Sequence, residues 1–107
     1  MTKTPEGIIQ TYAQEQLKKR GCLVRKISYE GRRGCPDLLV LVPEFPFRSI
    51  VVGPRTMFLE IKKDEQKKPD PHQQREHERI RQHGGDVRVI GSKEQIDSLL
   101  SELFPCD

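Results

Sequence analysis

One stretch constrains the fold more than any other. Leu38 to Val42 is the longest uninterrupted apolar run in the chain, with Pro36-Asp37 before it and Pro43 after it. A short run of Leu and Val closed by prolines reads as a buried strand. It falls far short of the roughly 20 apolar residues that a membrane span requires. The chain has 107 residues, 33% of them charged, so it has room for one thin core and little else. Residues 1–107 are expected to form a single domain.

The elements around that strand can be read in turn. Ile8, Ile9, Tyr12, Ala13 and Leu17 recur at helical spacing between Pro5 and Arg20, with Thr4 placed as the cap and Gly21 as the stop. Residues 22–28 read as a strand and residues 29–35 as a turn or loop. Pro43, Pro46, Gly53 and Pro54 predict a loop over residues 43–55, with a short strand at Ile50 to Val52. Thr56 to Lys62 is the next strand. Asp70-Pro71-His72-Gln73 is a capping-box pattern that opens a helix to about His83. That helix is polar almost all round and is expected to be partly solvated. Asp86 to Ile90 alternates as a strand. Ser92 to Gln95 forms a second capping box, leading into a helix with Ile96, Leu99, Leu100 and Leu103 on one face. The order α-β-β-(β)-β-α-β-α gives an α/β fold, a central mixed sheet flanked by helices.

Charge adds a hint about partners. The net charge is +3, but residues 1–36 hold eight Lys and Arg against three acids, and residues 37–107 hold eleven against thirteen. A basic leading third followed by well-placed acids suits an enzyme acting on a polyanion through bound cations. Ordinary charge scatter explains the same numbers equally well. Cys22, Cys35 and Cys106 are odd in number and form no C-x-x-C pair, so they read as reduced cytosolic thiols. Met1 to Glu6 lacks the apolar stretch of a signal peptide, and a cytoplasmic location without membrane is expected.

Two motifs carry chemistry. Asp37 stands at the entry of the buried strand, and Glu60-Ile61-Lys62 lies inside another, with 22 residues between Asp37 and Glu60. A strand turns residues i and i+2 to one face, so Glu60 and Lys62 project together. If the two strands are neighbours, Asp37 approaches Glu60, and carboxylates that close repel unless a cation separates them. Oxygen ligands without cysteine favour Mg²⁺ or Mn²⁺. An adjacent lysine orients an attacking water or offsets charge developing on a phosphate. Taken singly, Pro-Asp before a strand is common turn chemistry, and Glu-x-Lys is a common solvated face or cross-strand pair. The conjunction is more specific.

Together these stretches resemble the PD-(D/E)xK nuclease superfamily, in particular its virus-type replication-repair nuclease (VRR-NUC) branch. Gly31-Arg32-Arg33-Gly34-Cys35-Pro36-Asp37 resembles the branch's R-x-G-x-P-D, and Phe58 to Lys62 its second motif. Pro71-His72-Gln73 is similar to its P-x-Q, Gly85 to Ile90 to its closing G-x-x-V-x-V strand, and Pro5-Glu6 to its N-terminal glutamate. The resemblance spans roughly residues 5–100 and implies a restriction-endonuclease-like core.

It also implies an Mg²⁺- or Mn²⁺-dependent DNA endonuclease. Asp37 and Glu60 would bind the metal, with the Ile61 backbone carbonyl completing the shell and Glu6 joining directly or through water. Lys62 would position the attacking water and steady the scissile phosphate. Gln73 would lie beside the site, although it is also the capping-box residue of its own helix. Stand-alone members of the branch are similar to junction-resolving enzymes and act as homodimers. The resemblance therefore implies branched DNA as substrate, a second copy as partner, and a bacterial or phage-infected cell as the setting.

Outside the resemblance, Arg25, Lys26, Arg32 and Arg33 precede the metal aspartate and are placed to contact DNA phosphates, with a solvated turn as the alternative. Tyr29 reads as a packing residue or a stacking platform for a base. His72, His77 and His83 do not share a helical face, which argues against a zinc site. Two other readings stay open: a non-catalytic DNA-binding adaptor that keeps the fold, and a sequence-specific restriction-type nuclease.

Overall fold

Residues 3–105 are described by the computed structural model, so Cys106 lies outside the described residues. Along the chain run α1 (Pro5–Lys19), β1 (Leu23–Lys26), β2 (Leu38–Val42), β3 (Phe45–Phe47), β4 (Ile50–Val52), β5 (Arg55–Ile61), α2 (Pro71–Gln82), β6 (Asp86–Ile90) and α3 (Lys93–Leu103). The three N-caps are those the sequence indicates: the side chains of Thr4, Asp70 and Ser92 accept from the amides of Gly7, Gln73 and Gln95.

One strand was not expected. Residues 45–47 and 50–52 pair as an antiparallel hairpin where the prolines indicated mostly loop. Pro46 is tolerated because a two-stranded ribbon has an open edge, where a missing N–H breaks no ladder bond. The hairpin is anchored by Phe45, whose ring lies 5.3 Å from that of Phe104.

The main sheet has the order β1-β2-β5-β6, with the first two pairings antiparallel and β5-β6 parallel. A parallel pair needs a crossover, and α2 supplies it. Side chains alternate across the sheet. Leu38, Val40 and Val42 of β2 and Met57, Leu59 and Ile61 of β5 turn to one face. There they meet Ile9, Ala13 and Leu17 of α1 and Ile96, Leu99, Leu100 and Leu103 of α3 in a single hydrophobic cluster. The opening apolar run is thus buried on its even positions, while Leu39 is half-buried and Leu41 exposed.

Helix α2 covers the opposite face and is partly solvated, as its composition predicts, with most of its side chains exposed. Its buried residues are Glu76 and His77. Gln73, Glu76, His77 and Ile80 follow the i, i+3, i+4, i+7 spacing that normally carries an apolar stripe. This chain turns a mostly polar stripe onto the sheet, above Glu60 and Lys62. Among the described residues, no helix is long and apolar enough to cross a membrane.

Candidate active site

The pairing of β2 with β5 creates the site. Leu38 lies opposite Leu59, so one residue further Asp37 comes opposite Glu60. The Asp37 amide donates to the Leu59 carbonyl at 3.0 Å, and the Asp37 carbonyl accepts from the Ile27 amide at 3.2 Å. These bonds fix Asp37 at the mouth of the strand. Because Leu38 and Leu59 turn into the core, Asp37 and Glu60 turn to the α2 face. There the Ile61 amide donates to Asp37 Oδ2 at 2.6 Å.

Glu60 is 1% exposed. Its Oε2 accepts from Gln73 Nε2 at 3.2 Å, and its Oε1 lies 3.2 Å from His77 Nε2. Lys62, also buried, donates from Nζ to Gln73 Oε1 at 2.7 Å. The same Gln73 Oε1 accepts the Asp70 amide at 3.0 Å. The two readings of Gln73 therefore coincide. Its capping role and its place beside the site are served by one oxygen, and its amide nitrogen completes a bridge from Lys62 to Glu60.

Electrostatics follow from burial. The Glu60 carboxyl is pushed up to about 8, first by desolvation, then by its hydrogen bond with Asp37 and by the Asp37 charge, with Lys62 partly opposing. Near neutrality Glu60 thus keeps a proton, held against Asp37. His77 is held below the usual imidazole range, first by burial and then by the positive charges of Arg81 and Lys62, so the buried ring is neutral. Two adjacent carboxyl groups, one resisting ionisation, offer hard oxygen donors to a divalent cation, and the donor set fits Mg²⁺ or Mn²⁺. Among the described residues, no group of three or more His, Cys, Asp or Glu gathers as a metal cage. Glu6 stands exposed in the first turn of α1 and makes no hydrogen bond or ion pair with Asp37 or Glu60.

The basic candidates are all exposed. Arg32 reaches Glu76 Oε1 at 3.4 Å, and Arg33 lies 3.3 Å from the His72 ring. Cys35 is half-buried beside the site. Its thiol is pushed up, first by burial and then by the neighbouring carboxyl groups of Glu60, Asp37 and Glu76.

Sequence reading missed Glu76 and His77. The signal was present in the i+3 and i+4 positions after Gln73. Glu76 accepts a 2.6 Å bond from the Tyr29 hydroxyl at Oε2, which makes Tyr29 a packing and hydrogen-bonding residue. Arg79 also pairs with Glu76, at 3.6 Å. Glu76 thereby fastens the loop that carries Asp37 onto α2.

Gly34 completes that fastening. It has φ +96°, and a Cβ there would lie 2.8 Å from the His72 carbonyl oxygen. Gly34→Ala is therefore expected to destabilise the protein by about 2 kcal/mol and lower its melting temperature by about 10 °C. A thermal melt within 2–3 °C of wild type, on the order of measurement scatter, would show that the loop docks otherwise.

No family model matches the chain. Over 100 residues, 94% of this chain and 91% of the relative, the chain is 32% identical to "Putative nuclease p44" of Acyrthosiphon pisum secondary endosymbiont phage 1. It also superposes on a solved structure described as "VRR_NUC domain" with a TM-score of 0.78 and 52% identity, covering 92% of this chain and 97% of that one.

Proposed function

The chain belongs to the VRR-NUC family of the PD-(D/E)xK nuclease superfamily, and from that premise we propose that it is a divalent-metal-dependent endonuclease acting on branched DNA. The observation that carries this reading is the junction of Asp37, Glu60, Lys62 and Gln73 on one face of the sheet.

Asp37 and Glu60 would hold Mg²⁺ or Mn²⁺, with the Ile61 carbonyl, and with Glu6 joining directly or through water. When bound, the cation supplies Lewis acidity toward a phosphate oxygen. The chain's own residues do the rest. The Ile61 amide fixes one carboxylate, and Gln73 and His77 orient the other. Lys62, aimed by Gln73, orients the attacking water and offsets the charge that develops on the phosphate. Burial of Glu60 and Lys62 strengthens these interactions by lowering the local dielectric.

Backbone contacts and DNA shape, rather than base readout, would select the substrate. A homodimer would place two such centres across a near-symmetric junction. Leu23 and Leu41, paired across β1 and β2, and Ile50 and Val51 on the hairpin are exposed apolar side chains that an interface would cover. The phage origin of the curated relative supports action in a bacterial or phage-infected cell, in the cytoplasm.

The test is a substrate panel of four-way junction, flap and linear duplex DNA with Mg²⁺ or Mn²⁺, alongside the mass in solution. Expected are preferential cutting of branched DNA and a particle twice the 12.4 kDa chain mass. Binding without cleavage would point instead to an adaptor, and sequence-dependent cutting of linear duplex to a restriction-type enzyme.

A further inference from the structure

We infer that Arg33, His72 and Arg75 form a subsite for a non-scissile phosphate of the DNA backbone. The inference rests on the DNA-nuclease reading and goes beyond it by naming where the strand is gripped. Arg33 Nη1 lies 3.3 Å from His72 Nε2, and Arg75 Nη2 lies 3.1 Å from His72 Nδ1. One imidazole is thus flanked by two guanidinium groups. A neutral imidazole has one lone pair to accept with, and a protonated one has none. The ring therefore satisfies at most one of its two arginine neighbours.

Neither arginine has a carboxylate partner among the described residues, whereas Arg32, Arg55, Arg79 and Arg88 all do. Two like charges converging on one ring without a counter-charge are unfavourable until an anion joins them. A guanidinium fork matches the oxygens of a phosphate.

The arrangement is built into the backbone. Gly34 packs directly on the His72 carbonyl, which sets Arg33, one residue earlier, beside the first turn of α2. His72 immediately precedes Gln73, whose side chain bonds Lys62 and Glu60. Arg33 lies four residues before Asp37 on the same loop. The cationic cluster is therefore connected to the candidate centre through both the loop and the helix. A strand whose scissile phosphate sits over Asp37 and Glu60 would present a further phosphate to it. Arg32, by contrast, already has a carboxylate partner in Glu76.

The test measures binding of a labelled four-way junction by fluorescence anisotropy over a range of salt, with Ca²⁺ replacing Mg²⁺. Wild type is compared with Arg33→Gln/Arg75→Gln and with Lys18→Gln/Lys19→Gln, which makes the same charge change in the last turn of α1. The subsite predicts about tenfold weaker binding by the arginine pair variant at roughly 0.1 M salt. Neutralising one phosphate fewer also makes the plot of log affinity against log salt shallower by about 0.9. The lysine control should change affinity by less than about twofold, with its slope unaltered. If wild type binds and the arginine variant weakens no more than the control, the subsite is overturned while the nuclease reading stands. If wild type binds no DNA, the nuclease reading fails and takes the subsite with it.

Discussion

Replacing Lys62 with methionine is expected to slow DNA cleavage by about a thousandfold or more while leaving the fold nearly as stable as before. Methionine keeps much of the buried alkyl length and removes only the ammonium group. Gln73 Oε1 retains its bond from the Asp70 amide, so the cap of α2 survives the change. The stability effect is small because a desolvated charge is removed together with its hydrogen bond to Gln73. Loss of the positive charge also pushes the Glu60 carboxyl further up, since Lys62 is the group that lowers it. Saturating Mn²⁺ should not restore the rate. Single-turnover kinetics and a thermal melt on the same preparation check both halves. A rate within about tenfold of wild type would remove Lys62 from the chemistry.

The second large effect is a pH dependence of stability in metal-free protein. Burial and Asp37 raise the Glu60 carboxyl from 4.5 to about 8. A group whose pKa is higher folded than unfolded stabilises fully below its unfolded value, and the contribution disappears as pH rises through the folded value. Between about pH 6.5 and 9 the loss comes to about 2 kcal/mol, or about 10 °C in melting temperature. Glu60→Gln has no proton to lose and should show none of this fall. A cation that binds the ionised pair opposes the loss, so Mg²⁺ should stabilise wild type more at about pH 9 than at about pH 6.5. Parallel melting curves for wild type and Glu60→Gln across that range would contradict the account of Glu60.

Much of this was legible in the residues. Caps and periodicity located the helices because Thr4, Asp70 and Ser92 act locally, through amides three residues away. Strand alternation placed Glu60 and Lys62 on one face, and the register of β2 against β5 brought Asp37 to meet Glu60. Three things were less legible. The β3–β4 hairpin forms because aromatic and β-branched side chains outweigh a single proline at an open ribbon. Glu76 and His77 did not stand out as the buried positions of a partly solvated helix because polarity alone does not reveal burial, and the polar groups facing them make it affordable. The approach of Arg75 to Arg33 depends on Gly34 docking against His72, a contact between segments distant in sequence. Glu6 rests on the family resemblance alone, since no hydrogen bond or ion pair joins it to the acidic pair.

The central claim is that Asp37 and Glu60 hold a divalent cation that enables phosphodiester hydrolysis. The most direct measurement is the cleavage of an end-labelled four-way junction by wild type and Asp37→Asn, each with Mn²⁺ and with excess EDTA. The account predicts cut product only for wild type with Mn²⁺. Product from wild type in EDTA, or from Asp37→Asn at a comparable rate, would contradict it.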